Sequence, residues 1–157
     1  MDTAEEDHVL AAASLHAEAA ELLRSTELLS LLGRYGDVCA TGSYAHHLMT
    51  WRDIDLCVTT AELDLGTVFQ LGSELAALPN VGSMYYRNEL VLQTSGNPGA
   101  IFWCVYFYPP EREKWKVDIL LGGPDEVARA LEPGHRLQQA LTRETLFPTP
   151  RPSMIPT

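Results

Sequence analysis

Residues 41–56 read Thr41-Gly42-Ser43-Tyr44-Ala45-His46-His47-Leu48-Met49-Thr50-Trp51-Arg52-Asp53-Ile54-Asp55-Leu56. Asp37-Val38-Cys39-Ala40-Thr41 leads into them as a short strand that Gly42 breaks. A glycine lets backbone approach a ligand with no Cβ in the way. Ser43 then offers both a hydroxyl and a backbone N–H. Tyr44 to Met49 is expected to form a short helix whose start points at the same place, an arrangement suited to an anion. From Asp53 to Thr59 the residues alternate: Asp53, Asp55 and Cys57 share one face, and Ile54, Leu56 and Val58 the other. That period belongs to a strand with one covered face.

Two carboxylates at i and i+2 on a strand repel each other in a low dielectric unless a cation lies between them. Hard oxygen ligands at this spacing suit Mg²⁺, which keeps several waters and adds phosphate oxygens to one or two carboxylates. A third carboxylate comes from Trp115 to Leu121, where Trp115, Val117 and Ile119 alternate with Lys116, Asp118 and Leu120. A metal pair held by such a trio activates an acceptor hydroxyl and stabilises a pyrophosphate leaving group.

Outward from this segment, Thr3 followed by Glu6 reads as a capping box for a helix to Arg24. Val9, Leu10, Ala13, Ala17, Ala20 and Leu23 keep helical spacing. Ser25 or Thr26 is expected to cap a second short helix through Leu32, ended by Gly33 and Gly36. A helix is expected from about Leu63 to Leu78, stopped by Pro79-Asn80, and then a bent strand or tight hairpin over 82–94, turning near Asn88. Ser95-Gly96-Asn97-Pro98-Gly99 is a turn. Ile101 to Tyr108 is apolar on both faces and reads as a central, doubly covered strand ended by Pro109-Pro110. Pro124 opens a helix to about Leu131, and a second is expected from His135 to Glu144. The expected fold class is therefore α+β or α/β, a mixed sheet flanked by helices in one domain over 1–146. Within it lie N-terminal helices (4–34), a core (36–121) and C-terminal helices (124–145). Residues 147–157 hold four prolines and read as an extended tail.

The chain has 157 residues, 46% of them hydrophobic, and a formal net charge of −10. No apolar run is long enough to span a bilayer, and the first residues are acidic where a secretory signal is basic. The expectation is a soluble, cytoplasmic protein with no membrane partner. Lys and Arg form no dense stripe, so nucleic acid is not an expected substrate, whereas a cationic or neutral small acceptor fits the field. Cys39, Cys57 and Cys104, an odd number without CxxC spacing, read as reduced, buried thiols.

Gly42-Ser43, then Asp53-Ile54-Asp55-Leu56, and later Val117-Asp118-Ile119, resemble the DNA polymerase β-like nucleotidyltransferase superfamily. The likeness is to its small bacterial members: minimal nucleotidyltransferases and the aminoglycoside and lincosamide adenylyltransferases. It covers about residues 36–121. The resemblance implies a nucleotidyltransferase fold, Mg²⁺ (or Mn²⁺), and an NTP donor, in the first instance ATP. It implies transfer of a nucleoside monophosphate such as AMP to a hydroxyl of a small molecule or protein, with release of pyrophosphate. It makes Ser43 a triphosphate contact, with Gly42 and Tyr44 beside it. Asp53 and Asp55 become metal ligands, and Asp118 a third ligand or general base. The antibiotic-modifying members usually carry a C-terminal helical domain, and none is expected in the residues after Asp118 here. The acceptor site then falls to the N-terminal helices, to a second subunit in a homodimer, or to another protein. Two other readings stay open: a non-catalytic nucleotide-binding or regulatory module, and a toxin–antitoxin-type component that nucleotidylates a protein.

Each residue also has a plainer reading. Asp53 and Asp55 suit a solvated strand face, and Asp118 a salt bridge with Lys116 on its own face. Lys116 or Lys114 is otherwise a candidate to neutralise phosphate charge. His46 and His47, adjacent on a helix, point in different directions and suit surface or acceptor-gating roles better than joint metal ligation. His8, His16 and His135 read as surface residues. Arg52 faces away from Asp53 and suits a structural role. Tyr85, Tyr86, Trp103 and Trp115 read as core or interface aromatics.

Overall fold

The computed structural model describes residues 3–94 and 96–146. Ser95 and the proline-rich segment 147–157 lie outside the described residues. The element order is α1 (Thr3–Ser25), α2 (Leu28–Gly33), β1 (Asp37–Thr41), α3 (Gly42–Ala45), β2 (Asp53–Thr59), α4 (Leu65–Ala76), β3 (Val81–Asn88), α5 (Glu89–Leu92), β4 (Ile101–Phe107), β5 (Trp115–Gly122) and α6 (Pro124–Leu146). One five-stranded mixed sheet, in the order β1-β2-β5-β4-β3, runs through the molecule. β1 pairs antiparallel with β2, and β3, β4 and β5 form an antiparallel meander. The two blocks join where β2 and β5 run parallel.

The period-two pattern of the strands decides which face is buried. Ile54, Leu56 and Val58 of β2, Val117 and Ile119 of β5 and Trp103 and Val105 of β4 pack against Leu22 and Leu23 of α1, Leu28 and Leu32 of α2 and Leu71 and Leu75 of α4. On the opposite face, Val127, Ala130 and Leu131 of α6 cover Cys39, Cys57 and Leu120 in a smaller cluster. Thr41 also donates from Oγ1 to the Ala130 carbonyl of α6, at 3.3 Å. A helical layer thus packs one face, while α6 lies over the other mainly along β1, β2 and β5.

Several expectations are corrected. Ser25 and Thr26 do not cap α2: both hydroxyls turn back to the Leu22 carbonyl and finish α1. The start of α2 is set instead by Glu27, whose φ of 56° reverses the chain. The expected helix after Ser43 is one turn, Gly42–Ala45, too short for a meaningful dipole. Residues 82–94 are β3 followed by the helical turn α5. Asn88 accepts from Leu90 N at 3.0 Å, so the reversal falls where it is expected, but as a cap and not as a hairpin. β4 is fully covered on one face only: it lies second from one edge, and Phe102, Cys104 and Tyr106 stand half-exposed on the other, where Phe102 packs against the small cluster that includes Val127 of α6. The two expected C-terminal helices are one, with Pro133 inside it. Proline removes a single N–H from the ladder, and the strong helix formers from Arg136 to Leu146 continue the helix beyond it.

Candidate metal centre

Strand register builds the site. β1, β2 and β5 lie side by side, and Thr41 stands opposite Asp55, which stands opposite Asp118. All three side chains leave the same face, because each occupies the polar phase of its strand. Asp53 precedes Asp55 by one period and pairs in register with Lys116. Carboxylate oxygens of Asp53, Asp55 and Asp118 consequently lie within 4.8 Å of one another. The sequence-based expectation that these three converge holds, and Asp118 enters from a strand distant in sequence.

The electrostatics of the cluster are costly. Burial, with the charges of Asp53 and Asp118 beside it, pushes the Asp55 carboxyl up to about 6. Burial also raises Asp53, although the Lys116 charge pulls against it. Lys116 is the only cation among the described residues that is ion-paired to this cluster. Its Nζ lies 2.5 Å from Asp118 Oδ2 and 3.6 Å from Asp53 Oδ2. Burial draws the ammonium down, but the hydrogen bond to Asp118 and the charges of Asp118 and Asp53 outweigh it and raise it overall. The salt bridge envisaged for Asp118 and Lys116 is therefore present within the cluster. Asp53 Oδ1 is buried and has no hydrogen-bond partner. An oxygen-only donor set with such an orphaned atom fits a hard divalent ion.

Gly42 forms the wall opposite Asp55. Its φ is +67°, and a Cβ there would stand 2.5 Å from Asp55 Oδ2. The glycine is thus required twice, by conformation and by space. Ser43 and His46 line a cavity of about 520 Å³ together with Asp55 and Gly134. Tyr44 is not in it: its ring stacks on His16 at 4.6 Å and packs against the main core. His47, with φ 56°, stacks on the other contact of the group, His16, at 3.9 Å. The adjacent histidines diverge as expected, but His16 is a stacked ring and not a partnerless surface residue. His8 and His135 are exposed.

Arg52 pairs with Glu18 and Glu113 and lies over Trp115, the structural role expected of it. Lys114 lies over the Tyr106 ring and not on the carboxylates. Trp103 and Trp115 are buried, whereas Tyr85 is 61% exposed, so that aromatic is not core.

Sequence reasoning missed the second wall. A cavity of about 710 Å³ opens beside Asp55 and Asp118, floored by Cys57, Phe102 and Leu120 and roofed by Arg129 and Arg136 of α6. Asn97, almost fully buried, braces the roof: it donates to the Glu126 carbonyl at 2.7 Å and accepts from Arg129 Nη1 at 3.1 Å. The seven-residue spacing of Arg129 and Arg136 is two helical turns, a signal hidden once Pro133 is taken as a helix end. Cys104 faces Asp118 in register, and burial with a hydrogen bond to that carboxylate pushes its thiol up to about 12.

No family model matches the chain, and no curated protein or solved structure matches it either. No helix among the described residues is long and apolar enough to cross a membrane.

Proposed function

We propose that this protein is a metal-dependent nucleotidyltransferase with a fold of the polymerase β-like type, acting on an NTP, ATP in the first instance. The observation that carries the reading is the convergence of Asp53, Asp55 and Asp118, with oxygens within 4.8 Å, against the Gly42-Ser43 turn. Three half-buried carboxylates side by side are an electrostatic liability in a fold unless a divalent cation compensates them. The ligand set would hold Mg²⁺ or Mn²⁺, which supplies charge neutralisation for a triphosphate and polarises an attacking hydroxyl.

The protein's own groups then divide the work. Asp53 and Asp55 fix the cation, and Asp118 either completes the set or takes the proton of the acceptor hydroxyl. Ser43 presents its hydroxyl and N–H toward phosphate oxygens. Lys116, once relieved of Asp118, is placed to meet phosphate charge. The cavity beneath Arg129 and Arg136 adjoins Asp55 and Asp118 and offers apolar floor and cationic roof to the remainder of a substrate. A small, neutral or cationic acceptor suits a protein of net charge −10.

The test is direct. Mg²⁺ with each of the four NTPs is titrated while the melting temperature and pyrophosphate release are followed. A ligand at 100 times its Kd adds about 2.7 kcal/mol to stability. An unmoved melting temperature under saturating Mg·NTP would sink the reading. Binding without pyrophosphate release in the presence of candidate acceptors would leave a nucleotide-binding module instead of an enzyme.

A further inference from the structure

Cys39 and Cys57 stand directly opposite each other on β1 and β2, and we propose that they form a reversible disulfide site at the base of the loop that carries Asp53 and Asp55 of the candidate metal centre. Both are free thiols. They are Cα partners in the antiparallel register, on one face of the sheet, and they share the small cluster beneath α6. Opposed residues of an antiparallel pair have Cα atoms about 4.5 or 5.5 Å apart, depending on the pair type, and both values lie within the range a disulfide spans. Cys104 is excluded as a partner. It lies on β4, two strands from β2, a separation of roughly 10 Å that no disulfide bridges.

The order of reaction follows from exposure. Cys39 is half-buried and Cys57 is fully buried, so an oxidant of the low-molecular-weight disulfide class, RSSR, meets Cys39 first. The Cys39 thiolate attacks one sulfur of RSSR, the S–S bond of the reagent breaks, and RS⁻ leaves. The Cys57 sulfur then attacks the Cys39 sulfur of the mixed disulfide, and its proton leaves with the expelled group as RSH. Two protein thiols are oxidised and one RSSR is reduced to two RSH. Residues 40–56, which include Gly42, Ser43, Asp53 and Asp55, become a covalently closed loop.

The full reduced chain is incubated with oxidised glutathione and digested with trypsin without reduction. Cleavage after Arg34, Arg52, Arg87 and Arg112 places Cys39, Cys57 and Cys104 on three separate peptides. The expected product is peptide 35–52 joined to peptide 53–87, two hydrogens lighter than their sum. The melting temperature should rise by on the order of 10 °C and return on addition of reductant. Cys39→Ser should abolish both the joined peptide and the shift. Unreacted cysteines, stable glutathione adducts on Cys39, or a reversible shift that survives in Cys39→Ser would each overturn the proposal. None of these readouts depends on nucleotide chemistry.

Discussion

Lys116 donates its ammonium to Asp118, its neighbour but one on β5, at 2.5 Å, and so occupies the place of a counter-ion within the cluster. Removing that charge isolates the repulsion among the three carboxylates. Lys116→Met should destabilise the metal-free protein by about 2 kcal/mol, since a partly buried carboxylate loses its partner. Added Mg²⁺ should restore more stability to this variant than to the parent. Denaturant unfolding with and without Mg²⁺ gives both numbers, and equal Mg²⁺ effects in the two proteins would refute the counter-ion role.

Asp55 sets the pH dependence. Its carboxyl is raised to about 6 in the fold, above its ordinary range near 3.8. The unfolded chain therefore releases this proton first, and the contribution to stability is present below about pH 4 and lost as pH rises through about 6. Asp55→Asn should accordingly raise stability by about 2 kcal/mol at pH 8 without metal, discounting the shift for partial solvation, and by little at pH 4. Melting curves at the two pH values check the sign.

Gly42→Ala tests the wall of the site. The φ of +67° and the 2.5 Å approach to Asp55 Oδ2 leave no unstrained position for a methyl group. The cost should be about 1–3 kcal/mol, the range for a strained non-glycine backbone. Any stabilisation by Mg·NTP should disappear with it, which a thermal shift titration reads.

Gly72→Ala opposes two effects inside α4. Alanine gains roughly 1 kcal/mol of helix propensity over glycine. Its Cβ would meet Trp103 at 2.4 Å, and Trp103 is held by a 3.0 Å hydrogen bond from Nε1 to the Val68 carbonyl. Overpacking of this kind costs about 1–3 kcal/mol. The variant should be destabilised on balance, measured as a lower denaturant midpoint.

The legible parts of the fold are those whose signal is local. Alternation in Asp53–Thr59 and Trp115–Leu121 gives β2 and β5 and the faces of their carboxylates, because a strand's period is fixed by its own backbone. The side-by-side placement of Asp55 and Asp118 was an inference from chemistry; register supplies it. Coverage is not local. Ile101 to Phe107 carries apolar residues on both faces, yet only one is buried along its length, since the main contacts of α6 fall on β1, β2 and β5. Pro133 disguised α6 as two helices, and the Arg129–Arg136 roof was invisible with it. Buried Glu89, tied to Arg87 and Thr94, anchors the turn after β3, a tertiary arrangement no short-range pattern encodes.

The parallel seam between β2 and β5 has a kinetic consequence. The β1–β2 hairpin and the β3–β4–β5 meander each close through nearby chain, whereas the seam joins segments some sixty positions apart. Asp53 and Asp55 come from one block and Asp118 from the other. No partly folded species lacking the seam contains the cluster, and a cation seated there clasps the two blocks together. Divalent metal should therefore act mainly on the rate of unfolding, lengthening the life of the assembled molecule while leaving the formation of either block unchanged.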